Sequence, residues 1–224
     1  MVKLVIFDLD DTLIMEEEYV RSGYKAVSKF LKEKYNIAVQ EAYEALINSF
    51  NQKEKNTFNK LLDVKKIKYN EDDILELVQV YRNHIPTISF CEDVMPTLTM
   101  LREKNINIGI VTDGYLATQK NKLMVLDAYK IFDYIILTEE LGRDYWKPHP
   151  KSFEMMMEKF SVSPDEVIYV GDNPKKDFYV KESLNLKTVR IIRDGQIYKN
   201  EEYLNGVKEN FIISNLKELI MYLN

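Results

Sequence analysis

The sequence predicts an α/β fold: an open parallel sheet with helices on both faces, of Rossmann-like form, interrupted by an all-helical segment. Three observations carry this. Several short apolar runs do not alternate with polar residues, as expected of strands covered on both faces. Stretches with apolar residues at helical spacing lie between most of them, the rhythm of βαβ units. One interval is far too long for such a unit and contains no convincing strand.

The first run is Leu4-Val5-Ile6-Phe7, and others follow at 106–111, 134–137, 167–170, 188–192 and 211–213. Residues 94–101 read as a helix ahead of the second run, with Pro96 tolerated in its first turn. Residues 152–160 place Phe153, Met156, Met157 and Phe160 on one helical face ahead of the fourth. Asp8 and Thr112, each at the end of an expected strand, stand 104 residues apart, where a βαβ unit needs about 30. The excess reads as helices. Val20, Tyr24, Val27 and Leu31 share a face, Ala42, Leu46 and Phe50 fit a second helix, and Ile74, Leu75, Val78 and Tyr81 mark a third. The expected organisation is a core of 1–14 and 86–224 with a helical insertion at 15–85. Asp194-Gly195, between 191–193 and 196–198, carries the signal of a two-residue hairpin.

Composition narrows the function. Of 224 residues, 46% are hydrophobic and 30% charged, a globular balance. The single cysteine, Cys91, excludes an intramolecular disulfide. A net charge of −5 leaves no global basic footprint for nucleic acid. No apolar stretch reaches the length of a membrane span or a signal peptide, so a cytoplasmic protein without a membrane partner is expected.

Open α/β sheets bind ligands at the carboxyl ends of their strands. The first strand ends in Asp8-Leu9-Asp10-Asp11-Thr12, the second in Thr112-Asp113-Gly114, and the fourth in Gly171-Asp172-Asn173-Pro174, followed by Asp177. Lys147-Pro148 precedes the helix that leads into the fourth strand. Carboxylates, a hydroxyl and an ammonium thus converge on one rim. Several carboxylates at one rim repel each other unless a divalent cation neutralises them, and all-oxygen ligands suit Mg²⁺. Magnesium held by few carboxylates leaves room for a substrate phosphate, and phosphoryl chemistry needs a nucleophile, positive charge and an acid. Asp8 or Asp10 can attack, Lys147 supplies charge, and Thr112 with adjacent amides donates hydrogen bonds.

In order and placement these four segments resemble the four motifs of the haloacid dehalogenase superfamily, over about three quarters of the chain. The resemblance implies a Rossmannoid core and makes the insertion a helical cap. It assigns Asp8 as a nucleophile that forms an aspartyl-phosphate, and Asp10 as the acid that protonates the leaving oxygen and later activates water. Thr112, Asp113 and Gly114 would hold the phosphoryl group, and Lys147 would bind both it and Asp8. Mg²⁺ would sit on the side chains of Asp8 and Asp172 and the backbone carbonyl of Asp10, with Asp177 orienting Lys147 or a metal-bound water. The dehalogenase branch lacks a carboxylate at the second aspartate, so Asp10 implies a phosphatase or phosphomutase. The β-phosphoglucomutase-like branch usually has glycine where this chain has Asp11, which leans toward hydrolysis. The expected enzyme is a Mg²⁺-dependent phosphatase acting, as monomer or homodimer, on a small sugar phosphate or nucleoside monophosphate. The alternatives are a phosphomutase and a non-catalytic phospho-ligand-binding protein.

The segment Arg143-Asp144-Tyr145-Trp146 makes the approach to Lys147 longer than the family pattern. Tyr145 and Trp146 either pack beneath that loop or form an aromatic wall for substrate. Glu16, Glu17 and Glu18 are expected to begin a helix, where acidic residues suit the N-terminus. His84, Cys91 and the Met155-Met156-Met157 run are expected to be structural, and His149 is not needed where Asp10 supplies the proton.

Overall fold

The computed structural model describes residues 1–223, which divide into two compact units: 1–17 with 88–223, and 18–87. The first is built on six parallel strands: β1 (Leu4–Phe7), β2 (Asn107–Thr112), β3 (Tyr134–Leu137), β4 (Val167–Gly171), β5 (Lys187–Ile191) and β6 (Phe211–Ile213). Their order is β3-β2-β1-β4-β5-β6, every neighbouring pair parallel. The order reverses at β1, which pairs with β2 on one side and β4 on the other. The loops after β1, β2 and β4 therefore open side by side at the switch point where such sheets bind ligands.

Strand parity explains the unalternating runs. Val5 and Phe7 point into one core with Ile108, Ile110, Ile168 and Val170. Leu4 and Ile6 point into the other with Val111, Phe153, Met156 and Tyr169. Both faces are apolar because both are covered, so every position of β1 is buried. Helices of this unit include α5 (Val94–Glu103), α6 (Leu116–Val125), α7 (Ala128–Ile131), α8 (Lys151–Phe160) and α9 (Val180–Leu184), numbered after the four of the second unit.

The second unit is helical: α1 (Glu16–Tyr35), whose first residues belong to the first unit, then α2 (Val39–Asn51), α3 (Thr57–Val64) and α4 (Glu71–Asn83). Val20, Tyr24, Val27 and Leu31 form the buried face of α1 and meet Ala42 and Leu46 of α2. The α4 face differs from expectation. Leu77 is its buried residue, flanked by Ile74, Val80 and Tyr81, while Leu75 is 56% exposed. Helix α3 had no forecast, since its eight residues offer too little periodicity. Leu61 and Leu62 nevertheless bury there. His84 donates through Nδ1 to the Tyr81 carbonyl at 2.6 Å and packs on Tyr19, a structural place as expected.

The expected hairpin at Asp194-Gly195 is absent. Gly195 takes a left-handed turn (φ +86°), but the chain beyond it pairs with no strand. Gln196 instead buries its side chain and donates through Nε2 to the carbonyls of Asp11 (2.8 Å) and Ile191 (3.1 Å), and the Ile197 N–H donates to Asp11 Oδ2 (2.8 Å). A loop polar group offered better partners than an edge strand did. Among the described residues no helix is long and apolar enough to cross a membrane.

Phe153 is fully buried, with its ring edge-on to Tyr169 at 4.8 Å. Phe153→Ala is expected to cost about 3–5 kcal/mol of stability, read as a lowered midpoint in urea unfolding; a loss under about 1 kcal/mol would show that this core can collapse around the gap.

Candidate active site

The first loop is set by the strand that precedes it. The Asp8 N–H donates to the Val170 carbonyl at 2.8 Å, so β1 ends paired to β4 with Asp8 at its tip. Asp8 is 1% exposed. Its Oδ1 accepts from the Leu9 N–H (2.8 Å) and from Lys147 Nζ (2.8 Å). Asp11 turns through the left-handed region (φ +52°) and faces away from this cluster, accepting from the Glu16 N–H at 2.9 Å and the Ile197 N–H at 2.8 Å. It fastens the start of α1 and the turn after β5 to the loop.

Lys147 holds the centre. Its ammonium lies 2.8 Å from Asp8 Oδ1, 3.0 Å from Asp177 Oδ1 and 2.9 Å from the Tyr169 hydroxyl, with the side chain fully buried. Its backbone is pinned too, the N–H donating to Asp113 Oδ1 at 3.1 Å, a carboxylate that also accepts from Thr138 Oγ1 at 2.7 Å. Asp177 Oδ2 accepts from the N–H groups of Asp172 (3.2 Å) and Asn173 (2.8 Å), which shapes the loop after β4.

Asp10 is held from α6. Lys122 Nζ lies 2.6 Å from Asp10 Oδ1, and Gln119 Nε2 donates to Asp10 Oδ2 at 2.9 Å. The same amide reaches Thr112 Oγ1 (2.6 Å) and the Asp113 carbonyl (3.0 Å), tying the first and second motifs together. Gly114 (φ +139°) lies against Gln119, whose side-chain carbons stand 3.1 Å from where a Cβ would be.

A cavity of about 280 Å³ opens among Asp8, Asp10, Asp113, Lys147 and Asp172. Carboxylate oxygens of Asp8, Asp172 and Asp177 lie within 4.8 Å of one another. Asp8 Oδ2 and Asp172 Oδ2 are buried without a hydrogen-bond partner. Buried carboxylate oxygens facing one another without donors are costly, and an all-oxygen set of this kind fits a hard cation.

This arrangement has known counterparts. The sequence profile of the haloacid dehalogenase-like hydrolases matches residues 5–191. The chain belongs to that family. It is 30% identical to a glyceraldehyde 3-phosphate phosphatase of Methanocaldococcus jannaschii over 98% of this chain and 96% of the relative. It is 26% identical to pyrophosphatase PpaX of Oceanobacillus iheyensis over 98% and 95%. Among solved structures, a HAD phosphatase from Thermococcus onnurineus superposes with a TM-score of 0.64 at 26% identity, covering 100% of this chain and 98% of that one. Such relatives place this haloacid dehalogenase-like hydrolase among the phosphoric monoester hydrolases.

The electrostatics of the site divide its acids. Burial lifts Asp8 to about 6 despite Lys147 and Lys176, and lifts Asp172 well above the ordinary range, with Asp177 and Asp8 adding repulsion. Glu16 rises to about 7 through burial and the neighbouring Asp10. Asp10 and Asp177 go the other way. Burial opposes their charge, but Lys122 with Gln119 holds Asp10 below its ordinary value, and Lys147 with Lys176 does so for Asp177.

Several residues here were not flagged by the motifs. Glu16, Trp146, Lys176 and Tyr198 line the cavity, and Tyr169, Gln119 and Lys122 position its acids. Trp146 faces the cavity, whereas Tyr145 is 40% exposed and packs edge-on to His149 at 4.9 Å. A signal existed for two of them: Gln119 and Lys122 are three apart and so share a face of α6. Lys176 sits inside the Asp172–Asp177 interval itself.

Gly171 ends β4 where Asp177 folds back. A Cβ there would stand 2.6 Å from Asp177 Oδ2 and 2.7 Å from its Cγ. Gly171→Ala is expected to displace that carboxylate, cost about 1–3 kcal/mol and free Lys147 from its partner. Chemical denaturation together with phosphate release checks this, and wild-type behaviour in both would mean that the loop yields easily.

Proposed function

We propose that the protein is a Mg²⁺-dependent phosphatase that hydrolyses a small phosphorylated metabolite through an aspartyl-phosphate on Asp8. The observation that carries this reading is the buried Asp8–Lys147–Asp177 cluster beside Asp172, with one oxygen of Asp8 and one of Asp172 left without a donor. The side chains of Asp8 and Asp172 and the carbonyl of Asp10 would hold Mg²⁺. Bound there, the ion neutralises charge on the phosphoryl oxygens.

The side chains then divide the work. Asp8 attacks phosphorus, and its bond to the phosphoryl group replaces the bond to the leaving oxygen. Asp10 gives that oxygen a proton, then takes one from the water that hydrolyses the aspartyl-phosphate, so its protonation is restored after each turnover. Its resting form is ionised because of Lys122; the negative charge of a bound phosphoryl group raises its proton affinity, so it takes a proton from solvent as substrate binds and returns it when phosphate leaves. Thr112 and the amides around Asp113 and Gly114 donate to the phosphoryl oxygens. The Asp113 carboxylate is engaged with Thr138 and the Lys147 backbone and serves as a positioning group. Asp177 and Tyr169 orient Lys147, whose charge steadies Asp8.

The helical unit 18–87 is read as the cap that selects the non-phosphate part of the substrate. Sugar phosphates and nucleoside monophosphates suit a cavity of this size. The glyceraldehyde 3-phosphate phosphatases among the relatives support the short sugar phosphates within that range.

The decisive experiment is phosphate release from a panel of sugar phosphates, nucleotides and other small phosphoesters, with and without Mg²⁺. Asp8→Asn should lose turnover by about 10³-fold or more while folding normally. Retained activity would reassign the nucleophile. Activity that requires a bisphosphate primer would mark a mutase instead, and tight ligand binding without turnover a non-catalytic protein.

Stability should report the cation separately. Asp8 and Glu16 have folded values raised to about 6 and about 7 from ordinary values of 3.8 and 4.5. The stability they lend is therefore full below those ordinary values and lost as pH rises through about 6 to 7. In EDTA, Tm is expected to fall from about pH 5 to about pH 8, and Mg²⁺ should raise it more at the higher pH, where it competes with fewer protons. A pH-independent Tm in EDTA would show that these acids are not buried as described.

A further inference from the structure

The residues that lengthen the approach to Lys147 are built into the cavity wall. The Arg143 guanidinium lies over the Tyr115 ring at 5.0 Å and the Trp146 ring at 5.9 Å, with Glu139 3.4 Å from its Nε. A cation between two aromatic faces is attracted to both, and this one holds the indole where it lines the cavity. Trp146 Nε1 is buried there without a hydrogen-bond partner among the described residues. A buried N–H left so is costly, and an acceptor on a bound molecule would relieve the cost.

Two further side chains that the chemistry does not use line the same cavity: Glu16, from the start of α1, and Tyr198, from the turn after β5. The Glu16 N–H donates to Asp11 Oδ1 at 2.9 Å, which keeps the residue close to the end of β1. Burial apart, Asp10 is the charge that acts most on the Glu16 carboxyl. Glu16 in turn pushes the Tyr198 hydroxyl up to about 12.

Charge is unevenly spread around these acids. Asp8 has the Lys147 ammonium at 2.8 Å and that of Lys176 at 3.8 Å, a setting for a phosphoryl group. Beside Asp10, Lys122 lies 2.6 Å from Oδ1 and balances that carboxylate, so the Glu16 carboxyl is the surplus there. Asp10 meets the leaving oxygen. The carbon chain beyond that oxygen therefore has Glu16 as a neighbour and shares the remaining wall with Tyr198 and Trp146.

We propose that Glu16, Tyr198 and Trp146 form the seat of the leaving group, and that it selects a hydroxylated, uncharged carbon chain, as in a sugar or polyol phosphate, over one carrying a second anion. A carboxylate accepts from hydroxyls, while an indole N–H and a phenol donate to them. The aromatic faces cover C–H surface, and a second anion would meet Glu16 as a like charge. The proposal deepens the phosphatase reading and rests on it for which part of the substrate leaves.

The test compares sn-glycerol 3-phosphate, 3-phosphoglycerate and n-propyl phosphate: one three-carbon chain ending in a hydroxymethyl group, ending in a carboxylate, or lacking hydroxyls. kcat/KM is measured in saturating Mg²⁺ at about pH 8, above the Glu16 value of about 7, for wild type, Glu16→Gln and Trp146→Phe. Wild type should favour glycerol 3-phosphate over each of the others by about tenfold or more. Glu16→Gln keeps the shape and loses the charge, and should shrink the preference over 3-phosphoglycerate to about threefold or less. Trp146→Phe loses the N–H and should shrink the preference over propyl phosphate. In such ratios any unfolded fraction cancels, and a merely structural role would lower all three rates together.

Rates that do not differ in wild type overturn the seat and leave the phosphatase reading standing, as does a preference over 3-phosphoglycerate that Glu16→Gln leaves intact. If none of the three is hydrolysed, calorimetric binding of the same compounds to the full chain in Mg²⁺ decides. The same order with the same response in the variants upholds the seat whatever becomes of the phosphatase reading. Equal or absent binding overturns it.

Discussion

The buried ammonium of Lys147 is the constraint on which the rest of the site depends. A lysine with a fully buried side chain must be paired and hydrogen-bonded, or burial strips its charge. Here Asp8, Asp177 and Tyr169 meet that demand, and the pull of Asp177 and Asp8 outweighs burial, so the lysine is held more firmly protonated than usual. Each partner comes from a different place: the end of β1, the loop after β4, and β4 itself. Satisfying one ammonium therefore fixes the relative positions of the first, third and fourth motifs. Its backbone bond to Asp113 adds the second. The arrangement exists only because β1 lies between β2 and β4, which brings all of these loops to one switch point.

That dependence explains why the fold was so readable from the chain. Strands buried on both faces must be apolar at every position, so β1 announces itself as an unbroken run; the edge strands β3 and β6 are equally apolar runs with the observed limits, although Ile212 of β6 is exposed. The α1 face at Val20, Tyr24, Val27 and Leu31 is equally plain over its 20 residues. Misreadings fall where the signal is local and the decision is not. Asp194-Gly195 is a sound turn, but whether a strand follows depends on what Gln196 and Ile197 meet, and they meet Asp11 from 185 residues away in sequence. Leu75 fits a helical stripe as well as Leu77 does. Only packing into the core of the helical unit selects between them.

The same division runs through the site. The acids and Lys147 sit at strand ends in short motifs, where order and spacing expose them. Gln119, Lys122 and Tyr169 are ordinary residues of a helix and a strand, and their importance lies in reaching across from another element. Lys122 acts on Asp10 over 112 positions of sequence, a separation at which one chain alone carries no pairing information. Glu16 illustrates the overlap of roles. It begins α1 as an acidic first-turn residue should, and the same placement turns its carboxyl into the cavity beside Asp10.

Charge balance ties these residues into one system. Asp8, Asp10, Glu16, Asp113, Asp172 and Asp177 crowd a region whose ammonium groups are those of Lys122, Lys147 and Lys176. Burial raises the proton affinity of Asp8, Glu16 and Asp172, in Asp8 against the pull of Lys147, whereas lysine charges hold Asp10 and Asp177 below their ordinary value. Asp8 and Asp172, two of the acids so raised, are also the two with an undonated oxygen, the groups that a hard cation would engage. A cation there would compete with protons, whereas Asp10 and Asp177 are held ionised by their lysines. The lysines therefore do more than neutralise: they hold Asp10 and Asp177 charged and in place, while burial leaves Asp8 and Asp172 the acids whose charge a cation would stabilise.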